Sequence, residues 1–173
     1  IKVNPGEFAM NSEDFFVSEE FVFAASKELS GIVVANRRGG IVRTIPTEAF
    51  VTDVAATANR VYWIDGTGLN SLSLADDGTP DVLGKAQERD VLVATATHAL
   101  FKNDAQRLYL LSDSTMTLVA QDVAKVALWL DEVFIVKSGR TRVEAHSGAQ
   151  GPTEYEFDLD EPSEQFAVGA GGI

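Results

Sequence analysis

Residues Phe50 to Leu83 read FVTDVAATANRVYWIDGTGLNSLSLADDGTPDVL. Four runs stand out within this stretch: FVTDVAAT, RVYWID, LNSLSLADD and a short PDVL. Each is about strand length and rich in Val, Leu, Thr or aromatic residues, and small or polar turn residues separate them. The stretch predicts four strands joined by three short turns.

The same unit recurs along the chain. Val22-Phe23 in EFVFAAS stands 40 positions before Tyr62-Trp63, Leu100-Phe101 in HALFKN follows 38 positions later, and Phe134-Ile135 in EVFIVKSG follows after another 34. The turns recur with the strands. After the first run come Ser18-Glu19-Glu20, Thr57-Ala58-Asn59, Thr95-Ala96-Thr97 and Leu130-Asp131-Glu132. After the second come Ser26 to Ser30, Asp65-Gly66-Thr67-Gly68, Asn103 to Gln106 and Ser138-Gly139-Arg140. After the third come Asn36 to Gly40, Ala75 to Gly78, Ser112 to Thr115 and His146-Ser147-Gly148. Gly, Asn, Asp and Ser tolerate positive φ or hydrogen-bond their own backbone, so these are hairpin turns with a mechanism behind them.

Four units result, at about 12–46, 50–84, 89–121 and 123–159, within one region covering 1–173. Partial strands are expected at 1–10, around Ile1-Lys2-Val3, and at 164–173, where Gln165-Phe166-Ala167-Val168 opens a fifth unit. Asp122 to Leu130 has a pattern that suits a helix or a buried strand, and its length does not decide between them. A repeated four-stranded unit of roughly 40 residues is the signature of a β-propeller blade. The expected fold is all-β, an arc of about four four-stranded antiparallel blades forming part of a larger propeller. The continuously apolar second strands FVFAA, VYWI and VFIV agree, because a blade's strands pack on both faces. A two-sheet sandwich is the alternative, and it would show polar-out alternation on most strands.

The segment Asn59 to Gly78, NRVYWIDGTGLNSLSLADDG, resembles the YWTD-type propeller repeat, and resembles still more its bacterial version in secreted or lipoprotein propellers. Tyr62-Trp63-Ile64-Asp65 stands in the YWTD position; the other three units keep only the bulk of the motif. Propellers of that kind usually close with about six blades, so the resemblance implies that this region is part of one. It implies an extracellular or cell-envelope location and carries over no catalytic residue.

Composition narrows the partners. Among 173 residues, 45% are hydrophobic, 14 are Lys or Arg and 26 are Asp or Glu, for a net charge of -12. The acidity argues against nucleic acid, whose recognition needs a basic face. The absence of cysteine excludes disulfides, thiolate metal sites and a cysteine nucleophile. With two histidines, a histidine-rich metal centre is not expected. No apolar run reaches the roughly 18 residues of a membrane span and no basic segment precedes an apolar one, so the chain reads as soluble or already processed.

Candidate site residues come from aligning the units. Glu13, Asp53, Val91 and Lys125 share one column, and Ser12, Thr52, Asp90 and Ala124 the next. Glu13, Asp53, Asp90 and Lys125, with Gln165 as a fifth, then stand just ahead of the first strands, where a propeller's channel mouth would lie. Arg37 and Arg38 in NRRGG form the most basic spot, a candidate contact for an anionic partner. Tyr62, Trp63 and Trp129 read as core. His98 and His146 fall in different turn classes and do not form a pair. Asp158-Leu159-Asp160-Glu161 lacks EF-hand spacing and reads as a solvated linker, while Asp76-Asp77-Gly78 reads as a hairpin turn. No phosphate-cradling Gly-rich loop and no G-x-S-x-G occurs.

Three functions are compatible with this pattern. The first is a non-enzymatic module that binds a protein or a cell-surface glycan. The second is a metal-dependent lactonase- or lyase-like enzyme, with a divalent cation such as calcium held by Glu13, Asp53 and Asp90. The third is a structural module whose open sheets associate with another copy or with missing blades.

Overall fold

The computed structural model describes residues 15–26, 31–75, 78–129, 132–139, 142–147 and 153–158. Its strands form four sheets of four, each a meander in which every strand pairs antiparallel with its neighbour in sequence. The first sheet holds β1 (Phe15–Val17), β2 (Phe21–Ser26), β3 (Gly31–Asn36) and β4 (Ile41–Pro46). The second holds β5 (Asp53–Ala56), β6 (Arg60–Asp65), β7 (Gly68–Ser73) and β8 (Asp81–Gly84). The third holds β9 (Val91–Ala94), β10 (Ala99–Lys102), β11 (Leu108–Ser112) and β12 (Thr115–Ala120). The fourth holds β13 (Val123–Trp129), β14 (Glu132–Lys137), β15 (Arg142–Ser147) and β16 (Thr153–Asp158). The ambiguous stretch after Asp122 is thus a strand, and no helix is present among the described residues.

Two compact units divide the chain, Ile1–Glu88 and Arg89–Ile173. In the first, one face of the first sheet packs on one face of the second. Register sets the pairs Phe23 with Val34 and Ala25 with Ile32 on one side, and Val54 with Trp63 and Ala56 with Val61 on the other. All eight side chains belong to a single buried cluster, with Ile45, Val51 and Leu72 beside them. Phe23 is fully buried and meets Phe21 edge-on, with ring centroids 6.3 Å apart. Burying such a ring contributes about 1.5–3 kcal/mol. On the opposite face of β6, Tyr62 and Ile64 are also buried, which is why VYWI shows no polar alternation. In the second unit, Leu100, Leu108, Val123, Val133 and Ile135 form the core, lined by Val93, Leu110, Val126 and Leu128.

A side-chain lock recurs in the first turn of three sheets. Ser18 Oγ accepts the Phe21 N–H at 3.0 Å, Thr57 Oγ1 accepts that of Arg60 at 3.2 Å, and Thr95 Oγ1 accepts that of His98 at 3.2 Å. In each case the hydroxyl residue's own N–H returns to the carbonyl of that third residue. The hydroxyl thus completes a turn that lacks glycine.

Some expectations need correction. His146 lies inside β15, opposite Val133, because the β14–β15 ladder runs on to the Glu132–Ser147 pair instead of opening at His146. Glu132 accordingly opens a strand and does not end a turn. The β6–β7 turn is only Gly66-Thr67, since Asp65 and Gly68 pair with each other. Asp76, Asp77, Leu130, Asp131, Asp160, Glu161 and the partial strands at 1–10 and 164–173 lie outside the described residues, as does the side chain of Trp129.

Candidate functional site

Asp53 is the first residue of β5 and pairs with Ile64. Its Oδ1 accepts the Val54 N–H at 2.8 Å, while the Thr52 N–H donates to the Ile64 carbonyl at 2.8 Å. The carboxylate is half-buried at the point where the strand begins.

Asp90 stands immediately before β9 and is 94% buried, with 6% of its surface exposed. A buried carboxylate needs hydrogen-bond donors, and the Asp104 N–H supplies one to Oδ1 at 2.6 Å. That bond fastens the start of β9 to the β10–β11 hairpin. The hairpin is held again by Asn103 Oδ1, which accepts the Arg107 N–H at 3.0 Å, and by the Val123 N–H, which donates to the Gln106 carbonyl at 2.9 Å. The Ser138 hydroxyl donates to Gln106 Oε1. Asp104, Gln106 and Arg107 are exposed on this fastened loop.

Lys125 departs from the expected column. It lies third in β13, opposite Val136, after a bulge between Val123 and Lys125. The ladder starts earlier because Val123, wholly buried, pairs with Lys137. Lys125 therefore sits partly buried within the strand and not ahead of it. Asp53 belongs to the first unit, and Asp90 and Lys125 to the second. Glu13 and Gln165 lie outside the described residues.

Arg37 and Arg38 occupy the exposed β3–β4 turn. Arg37 Nη2 donates to the Ser18 carbonyl at 3.0 Å, so this guanidinium ties together two turns of its own sheet. Asn36 Oδ1 accepts the N–H groups of Arg38 and Gly40, at 2.9 and 3.1 Å, and shapes the turn. Exposed Glu19 and Glu20 follow Ser18 directly, so acid flanks the basic spot.

Two polar clusters were not anticipated. Asp65, at the end of β6, is 6% exposed and forms the hub of one. Its Oδ2 accepts Trp63 Nε1–H at 3.0 Å. Its Oδ1 accepts the Thr67 N–H at 2.8 Å, the Thr67 hydroxyl at 2.5 Å and Asn70 Nδ2–H at 3.1 Å. The donors are neutral, and they clamp the β6–β7 hairpin. In the other, Glu144 Oε2 lies 3.4 Å from Lys137 Nζ and 3.4 Å from His146 Nε2, all three side chains being largely buried. The alternation Glu144-x-His146 was the available signal, since residues two apart on a strand share a face. Among the described residues, no three His, Asp or Glu side chains stand close enough together to hold a metal ion.

No protein-family model matches the chain, and no curated protein matches it. Solved structures do. Apo AztD from Citrobacter koseri is similar with a TM-score of 0.64 and 8% identity, over 86% of this chain and 47% of that one. PorZ of Porphyromonas gingivalis, described as a bacterial surface component of the type-IX secretion system, is similar with a TM-score of 0.59 and 16% identity, over 90% of this chain and 22% of that one. The β-propeller domain of Cps50 (Swd1) from Myceliophteria thermophila is similar with a TM-score of 0.55 and 12% identity, over 84% of this chain and 57% of that one. The chain thus spans about half the length of AztD and of the Cps50 domain. With the four antiparallel sheets, these similarities give the fold: all-β, about four blades of a β-propeller, corresponding to part of such a domain.

Proposed function

We propose that this chain is a non-enzymatic β-propeller module that binds a protein or a surface glycan, on the outer side of the cell or in its envelope. The observation that carries the reading is the fastened β10–β11 loop, which presents Asp104, Gln106 and Arg107 to solvent while backbone and side-chain bonds hold it from beneath. Exposed polar groups on a rigid scaffold lose little freedom on binding, which favours recognition. The resemblance of Asn59 to Gly78 to a secreted propeller repeat supports the location, as does the likeness to a bacterial surface component.

The test is retention on immobilised protein, using a glycan array and the envelope and secreted fractions of the source cell. A partner held by the wild type and released by the combined Asp104→Lys and Arg107→Glu change is the expected result. Retention of nothing, or a partner indifferent to that change and to Asp53→Ala, would count against the proposal.

A further inference from the structure

Every sheet has two edge strands, and most of them carry a device against pairing with another chain. β4 holds Arg43 and Pro46, β5 and β8 hold Asp53 and Asp81, β13 holds Lys125, and β16 holds Glu156 and Asp158. Charges and prolines on edges are the usual protection. Of the edges that have neither, β1 has three residues and β9 four. β12, Thr115-Met116-Thr117-Leu118-Val119-Ala120, has six, the first four of them in unbroken register with β11 before a bulge at Val119. It pairs with β11 on one side, and among the described residues no strand pairs with its other side. Thr115, Thr117 and Leu118 are exposed, and Thr and Val favour extended backbone.

The ends of this strand say what fits it. Asp113 in the turn before β12 and Asp122 in the connection after it are both exposed. Two copies of β12 paired antiparallel in register would bring the Asp113 end of each to the Asp122 end of the other, and a parallel pair would set like ends side by side. Either arrangement places acid against acid, which is unfavourable. A strand with basic ends would instead meet carboxylates at both.

We infer that the outer edge of β12 accepts an extended segment of a partner protein, β-branched at its centre and carrying Lys or Arg at its ends, as an added strand of the third sheet. This rests on the binding-module reading and gives it one mode. Main-chain bonds along Thr115–Leu118, the part of the strand ahead of the bulge, supply the affinity, and the two carboxylates select the charge.

The probe is a fluorescein-labelled peptide of alternating Thr and Val with two Lys at each end, compared with the same core ended by Glu. Anisotropy should show saturable binding of the Lys-ended peptide and at least about tenfold weaker binding of the other, with the preference shrinking as salt rises. Amide hydrogen exchange should slow at Thr115–Ala120. Asp113→Asn with Asp122→Asn should lower affinity for the Lys-ended peptide by about three- to tenfold, as expected for two exposed ion pairs. Both positions have positive φ, 49° and 57°, which Asn tolerates, so the fold is kept. Equal binding of the two peptides, absence of binding, or protection confined to other strands would overturn the inference. Protection of these amides that rises with protein concentration and no peptide would also overturn it, in favour of a second copy. A partner found on the β10–β11 loop with no protection of β12 would defeat the edge and leave the module standing.

Discussion

Replacing Asp65 by alanine tests whether its buried carboxylate is what holds the β6–β7 hairpin. The indole N–H of Trp63, in a side chain only 1% exposed, would lose its acceptor and have no water to turn to. Leaving a buried donor unsatisfied costs about 1–3 kcal/mol. Asn70 Nδ2 would keep the Gly68 carbonyl and Thr67 Oγ1, at 3.2 Å each. The Thr67 N–H, on an exposed residue, can bond water. The expected loss is therefore about 2–4 kcal/mol, a large part of the roughly 5–15 kcal/mol of a typical native state. Asp65→Asn retains one acceptor and should cost less, about 1–2 kcal/mol. The assay is urea unfolding followed by far-UV circular dichroism for Asp65→Ala, Trp63→Phe and the double variant. Phenylalanine has no donor to orphan, so Asp65→Ala should cost about 1–2 kcal/mol less when Trp63 is already Phe. Additivity of the two changes within about 0.5 kcal/mol would refute the hub, as would an Asp65→Ala loss below about 1 kcal/mol.

Gly68→Ala combines a φ of 136° with a Cβ that would come within 2.3 Å of the Gly84 carbonyl oxygen, whereas Gly39→Ala, at φ 88°, meets nothing within 4 Å. The first should cost more than about 3 kcal/mol and the second about 1 kcal/mol, read as shifts in urea midpoint; equal shifts would show that the close approach to Gly84 is not a constraint. Thr57→Ala removes the acceptor of the Arg60 N–H and should lose about 1 kcal/mol, with Thr57→Ser restoring most of it; a serine variant as weak as the alanine one would mean the hydroxyl is not the cause. Calcium, magnesium or manganese should leave the Tm of the wild type unchanged, because among the described residues no three His, Asp or Glu side chains stand together; a rise that Asp53→Ala abolishes would favour the metal-dependent alternative.

The meander was legible because its signals are local. VYWI and FVFAA show no alternation when both faces of a strand are buried, and Ser18, Thr57 and Thr95 open turns whose bonds reach only three residues ahead. Repeat spacing likewise located Asp53 and Asp90 at strand starts. It misplaced Lys125, because an alignment of units has no means of registering the bulge after Val123. The composition of His146-Ser147-Gly148 suggests a turn, yet the ladder length there follows the pairing with buried Val133. The Asp65 and Glu144 clusters depend on which atoms meet across a hairpin or between strands, and spacing alone does not contain that information.

The strict neighbour-to-neighbour pairing of the strands bears on how the chain acquires its structure. A sheet such as Phe15–Pro46 or Val91–Ala120 contains every strand it needs within one short continuous segment. Among the described residues no sheet takes a strand from a distant part of the chain, so the entropic cost of joining remote segments is small and contact order within a sheet is low. During synthesis each sheet can therefore pair its strands as its last residues leave the ribosome, before the next one exists to compete for them.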